Sequence, residues 1–200
     1  MDDIVKQAMA KWPNVPDCYG WLALDARGAW RMRDEQTQQL GHLGDKIAHV
    51  ALLALINRNY TCDDQGRWYF QNGPQRVYVN LEATPYVART DPVHGLVLHT
   101  GEALTEIDRI WLTSNGQLVL MHGERIALVD DRDAGQCMAL LLIDGVSASD
   151  EQIMAWIERT PEPAALMFEY GGSRIPVHYL QADGMASKFG FVRKPEPDVV

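Results

Sequence analysis

The sequence predicts an α+β protein: repeated helix-plus-β-hairpin units whose strands form mixed or antiparallel sheets backed by helices. Three observations carry that prediction. Short apolar and aromatic runs recur, each bounded by a glycine-containing turn, as the strands of hairpins require. Between them lie amphipathic stretches that open on polar capping residues, the pattern of helices packed on one face. Finally, three segments share one grammar: Gly73-Pro74-Gln75-Arg76-Val77-Tyr78-Val79, Gly123-Glu124-Arg125-Ile126-Ala127-Leu128 and Gly172-Ser173-Arg174-Ile175-Pro176-Val177. Their arginines fall at 76, 125 and 174, so both intervals are 49 residues. An even period of that size is the mark of a repeated supersecondary unit.

In chain order, Ile4, Val5, Ala8 and Met9 lie at helical spacing in residues 2–11, with acids in the first turn facing the positive dipole end. Pro13 and Pro16 end this helix. A hairpin follows, 20–24 and 29–32, turning through Asp25-Ala26-Arg27-Gly28. Residues 34–44 are polar, contain two glycines and read as a loop. Asp45 is the expected N-cap of a helix from Lys46 to Arg58, with Ile47, Val50, Leu53, Ala54 and Ile56 inward. Strands are expected at 68–70, 77–81, 86–89 and 96–99.

The second half repeats the pattern. Strands are expected at 109–113, 118–121 and 126–129, then a helix capped by Asp131 or Asp133 that reaches about Leu141. Ser149, with Gln152 three residues on, forms a capping box for a helix over 150–158. Pro161 and Pro163 punctuate, and a last hairpin spans 166–170 and 174–180. The tail from Lys194 to Asp198 is expected to fray. Repeating units therefore lie at 2–33, 45–81 and 149–180, with a related strand-rich one near 109–141. The predicted division is an N-terminal α+β domain, 1–95, and a C-terminal one, 96–200; one continuous domain is the alternative.

Bulk properties exclude several classes. The chain has 200 residues, 46% of them hydrophobic and 22% charged, which suits a globular protein with a real core. Its net charge of −9 is scattered, and no basic stripe is present, so nucleic acid is not an expected partner. The longest apolar run, Val50 to Ile56, is far below the roughly 20 residues of a membrane span, and the acidic start lacks a signal-peptide pattern. Three dispersed cysteines, Cys18, Cys62 and Cys137, fit a reducing cytoplasm.

No common catalytic signature occurs: no phosphate-binding loop, dinucleotide fingerprint, nucleophile elbow or zinc-protease motif. The six histidines read as structural, because none of their spacings brings ligands to one face; neither a metal nor a cofactor is expected. Asp130-Asp131-Arg132-Asp133 is the densest acidic patch. As a helix start it reads as capping, worth ~1 kcal/mol, ahead of acid–base chemistry. Cys137 reads as core rather than nucleophile. The six tryptophans read mainly as core, and an exposed subset would serve as a contact surface. Arg76, Arg125 and Arg174 are the candidate anion- or partner-binding residues. Strand alternation sets each on the face opposite its hairpin's core residues, where repeated units would align the guanidiniums.

Several of these segments also resemble a known family. Asp25-x-x-Gly28-x-Trp30, the helix from Ile47, Asp64-x-Gly66-Arg67-Trp68-Tyr69-Phe70 and Arg76-Val77-x-Val79-x-Leu81-Glu82-Ala83-x-Pro85-Tyr86-Val87-Ala88 are similar to the bacterial domain-of-unknown-function family 1285, over about residues 20–90. The whole chain also resembles the proteobacterial domain-of-unknown-function family 2946. The first resemblance implies an α+β fold assembled from repeated motifs, with a departure beyond about residue 140. Neither implies an activity, a cofactor or a catalytic residue.

The function expected from these readings is a non-catalytic cytoplasmic binding or regulatory module, with signalling among its roles. Its partner would be a small anionic ligand or a protein. The competing classes are an enzyme that gathers Asp130–Asp133, a histidine and an arginine in one cleft, and a structural homo-oligomer.

Overall fold

The computed structural model describes residues 2–159 and 164–198. The punctuation assigned to Pro161 and Pro163 lies outside the described residues. Two compact units divide the chain: residues 1–85 with 190–200, and residues 86–189. The seam expected at 95/96 would fall inside a strand, whereas the observed limits fall between elements.

The N-terminal unit is an α+β unit on a six-stranded mixed sheet. It opens with helix α1 (Asp3–Lys11) and the hairpin β1 (Cys18–Leu24) and β2 (Trp30–Met32). Residues 34–44, expected as a loop, contain a short helix α2 (Glu35–Gln39), because the Asp34 carboxylate accepts from Thr37 N at 2.7 Å and caps it. Asp45 is not a cap. It lies in β3 (Asp45–Lys46), an edge strand beside β2, and the following helix α3 (Val50–Arg58) is capped by His49, whose Nδ1 accepts from Leu52 N. The meander β4 (Tyr60–Cys62), β5 (Trp68–Asn72) and β6 (Gln75–Leu81) completes the sheet, in the order β3-β2-β1-β6-β5-β4. Its centre is the parallel pair β1–β6, which joins two otherwise antiparallel meanders. The core includes Leu22, Leu24, Ile56 and Val79, with the Trp30 and Trp68 rings against Tyr60 at 5.0 and 4.9 Å.

The tail is tied down rather than frayed. Val192 N donates to Gly66 O at 2.9 Å, Leu81 N donates to Arg193 O at 2.8 Å, and Asp198 pairs with Arg67 at 2.9 Å. Gly66 is required there: its φ is +74°, and a Cβ would lie 2.0 Å from Gly190 O.

The second unit carries a nine-stranded mixed sheet. In chain order come β7 (Tyr86–Asp91), β8 (Gly95–Leu98), β9 (Arg109–Thr113), β10 (Leu118–His122) and β11 (Arg125–Val129). Helix α4 (Ala134–Met138) ends before the expected Leu141, which begins β12 (Leu141–Ile143), and β13 (Val146–Ser147) pairs beside it. Helix α5 (Asp150–Glu158) starts at the Ser149 capping box, with both reciprocal hydrogen bonds present. The hairpin β14 (Leu166–Tyr170) and β15 (Ser173–Leu180) follows, then α6 (Met185–Phe189). Ile153 and Trp156 of α5 bury against a core that includes Ile110, Leu112, Leu120 and Phe168.

Each sheet is thus built around two hairpins separated in sequence by two helices, with the second strand of the later hairpin parallel to the first strand of the earlier one: β6 to β1, and β15 to β9. Arg76 and Arg174 occupy matching places in this scheme, in the last strands. Arg125 does not, since β11 pairs with β10 and β7.

Candidate functional site

The three candidate arginines have different surroundings. Arg125 and Arg174 share a sheet but sit three strands apart, roughly 14 Å at the usual strand spacing. The register also sets them on opposite faces. Val177, Ile110, Leu120 and Ala127 form one cross-strand row; Arg125 lies two residues from Ala127 and Arg174 three from Val177. Arg125 therefore shares the side of Ala127 and Val129, both in the main core, which corrects the expectation that it opposes its core residues. Each is also partnered: Arg125 with Glu102 at 3.0 Å, Arg174 with Glu169 at 3.3 Å. Exposed pairs of this kind contribute little stability, but they occupy the guanidinium.

Arg76 differs. Strand alternation sets Tyr78 and Asn80 on the same face as Arg76, opposite Val77 and Val79, yet Tyr78 is 1% exposed and Val79 is 0% exposed. Consecutive residues point to opposite faces, so both faces of β6 are covered at this central position. Tyr78 stacks on Tyr19 at 4.6 Å and donates to the Asp63 carboxylate at 3.1 Å. Arg76 lies half-buried beside it, with its guanidinium 4.9 Å from the centre of the Tyr69 ring. A hydrogen bond to Tyr78 and the nearby charges, Asp17 among them, hold its proton more firmly than usual. Among the described residues no carboxylate closes an ion pair with it.

Arg76 lines a cleft of about 640 Å³ between the end of α1, the segment 12–17 and the β5–β6 hairpin. Trp12, Pro13, Asp17, Gln71 and Pro74 line it as well. Trp12, directly after α1, is 51% exposed and carries Lys11 over its ring at 4.5 Å. The segment holds its place partly through Gln75 Nε2, which donates to Pro16 O at 2.9 Å. Gln71 is directly opposite Arg76 in the hairpin register. It is wholly buried; its Nε2 donates to Gly73 O at 2.9 Å, and its Oε1 has no donor. A buried acceptor left without a donor costs about 1–3 kcal/mol. The cleft therefore offers a cation, a carboxylate and apolar rings along one lining.

The sequence singles out Arg76 but not Trp12, Asp17 and Gln71, which line the same cleft. Gln71 had a readable signal, because the Asn72-Gly73-Pro74 turn fixes which residues face each other. Trp12 and Asp17 arrive through tertiary packing and had none.

The gathering of groups that an enzyme reading requires is partial. Arg89, Asp91, Arg132 and Asp133 line a second cleft, of about 420 Å³, in the C-terminal unit, and no histidine lines it. Asp130 is buried against Arg132, whose hydrogen bonds hold its carboxyl well below the usual carboxylate range. Asp133 occupies the N-cap position of α4, but its side chain accepts from Thr90 N at 2.8 Å instead of capping. Burial pushes the Cys137 thiol up to about 11. Trp30, Trp68, Trp111 and Trp156 are core, whereas Trp12 and Trp21 are exposed. Among the described residues, no three histidine, cysteine or acidic side chains are placed to hold a metal, and no helix is long and apolar enough to cross a membrane.

Comparison with known proteins supplies the family. No curated protein matches the chain. Its fold is similar to the crystal structure of a DUF1285 family protein from Silicibacter pomeroyi DSS-3, with a TM-score of 0.50 and 14% identity, over 88% of this chain and 94% of that one. That coverage is more than residues 20–90 could supply, so the likeness of fold continues where the sequence resemblance stops. The family model described as Protein of unknown function (DUF2946) matches residues 1–196. The chain belongs to that family.

Proposed function

We propose that this protein is a non-catalytic, cytoplasmic binding module with a regulatory role, whose N-terminal unit takes a small anionic ligand at Arg76. One observation carries the reading: a half-buried guanidinium lines a cleft without a carboxylate partner of its own. Partly desolvated cations of this kind bind carboxylates or phosphates through charge-assisted hydrogen bonds. The cleft's volume is within the about 300–1,000 Å³ of small-molecule sites.

Arg125 and Arg174 are left out of this site because each already faces a glutamate. The non-catalytic part of the reading is supported by the state of the best reactive groups. Asp130 is held ionised by Arg132, and the Cys137 thiol stays protonated at neutral pH. Three free cysteines support the cytoplasmic part.

The test is a thermal-shift and calorimetric titration of the full chain with inorganic phosphate and a panel of small carboxylates, amino acids included. A ligand at a hundred times its Kd stabilises the native state by about 2.7 kcal/mol, a readily measured rise in Tm. At least one anion is expected to raise the Tm of the wild type and not that of Arg76→Gln. No shift with any of them, or equal shifts in both proteins, would overturn the reading.

A further inference from the structure

We infer that the Arg76 cleft is built for a zwitterion: a free amino acid with an apolar or aromatic side chain, its carboxylate on Arg76 and its ammonium on Asp17. This inference rests on the cleft reading above and narrows the class of ligand.

The arrangement of charge is the first argument. A site for a simple anion gains from surplus positive charge, yet this cleft sets a carboxylate within the field of its only arginine. Among the described residues no ion pair joins Asp17 to Arg76, and both line the cleft. Asp17 is exposed at the end of segment 12–17, which enters β1 at Cys18, whereas Arg76 is anchored on Tyr69 and Tyr78 within the sheet. An α-amino acid carries its two charges on adjacent carbons and neutralises both walls at once. A plain carboxylate would bring its charge near Asp17 unpaired, and a plain amine would do the same to Arg76.

The apolar surface is the second. Met9, Trp12, Pro13, Val15, Pro16 and Pro74 make up most of the remaining wall, with Asn14 and Gln71, and prolines hold it without much rotamer freedom to lose on binding. Trp12 is 51% exposed and offers an aromatic surface to an apolar side chain. Buried Gln71 Oε1 is a third feature, an acceptor in the lining of the cleft that lacks a donor.

The experiment is calorimetric titration of the full chain with L-leucine, L-methionine and L-tryptophan, each compared with its N-acetyl derivative and its carboxamide. Blocking either end is expected to weaken binding at least about tenfold, since each removes one charge-assisted contact. Asp17→Asn, at an exposed position, should abolish the preference for the free amino acid over its N-acetyl form, weakening the first and removing the repulsion that the second meets. N-acetyl amino acids binding as tightly as the free ones, with Asp17→Asn unchanged, would overturn the zwitterion and leave the Arg76 cleft standing. Binding of none of these compounds would overturn the zwitterion alone, whereas equal binding of all of them by wild type and Arg76→Gln would overturn both. Circular dichroism of each variant separates lost binding from lost fold.

Discussion

The two units carry the same hairpin with a different outcome. In β5–β6 the register pairs Phe70 with Val77 and Gln71 with Arg76; in β14–β15 it pairs Phe168 with Ile175 and Glu169 with Arg174. Both phenylalanines are buried and both turns use a glycine, Gly73 and Gly171, with positive φ. Next to the phenylalanine, however, one hairpin has an amide and the other a carboxylate. Glu169 neutralises Arg174 on an exposed face, whereas Gln71 leaves Arg76 to a cleft. Whether such an arginine is paired is thus decided by its cross-strand neighbour more than by its own identity.

That comparison can be broken or sharpened experimentally. The largest effect is expected where the hairpins agree. Phe168→Ala opens a cavity at a fully buried position and should destabilise the protein by about 3–5 kcal/mol in urea titration, with Phe70→Ala in the same range. A loss below about 1 kcal/mol at either site would show that the shared phenylalanine is not a core anchor.

Acid stresses the C-terminal unit next. Asp130 has its pKa lowered in the folded state, to about 2 from 3.8. A depressed carboxylate contributes stability that is complete above its unfolded pKa and disappears as pH falls through the folded one. The contribution should therefore be lost between about pH 4 and pH 2. It amounts to roughly 1–2 kcal/mol after allowance for solvent around the exposed Arg132. Asp130→Asn should flatten the stability–pH curve in that window; an unchanged curve would refute the assignment.

Gln71→Glu then imports the chemistry of the second hairpin into the first. It should neutralise Arg76 and weaken anion binding at least about tenfold, equal to 1.4 kcal/mol, while the far-ultraviolet circular dichroism stays native. The reciprocal change, Glu169→Gln, should alter stability by no more than about 1 kcal/mol, as expected of an exposed ion pair.

Much of the fold was legible because its signals are local. The Ser149 capping box needs only residues 149–152, and the hairpins follow from short apolar runs bounded by glycines that adopt positive φ, such as Gly28 and Gly116. Where expectation and structure differ, the deciding group is elsewhere in the chain. Asp45 looks like a cap, but β2 recruits it as an edge strand. Asp133 looks like a cap, but Thr90 takes its carboxylate. Tyr78 looks outward by alternation, but Tyr19 from β1 covers it.

By itself the sequence determined the α+β class, the hairpins and their turns, since backbone propensity and side-chain alternation act over a few residues. Only the tertiary structure decided the parallel pairings β1–β6 and β15–β9, the return of residues 190–198 to the N-terminal unit, and the cleft around Arg76. Each of these joins residues distant in the chain, through burial and hydrogen bonds that no local pattern encodes.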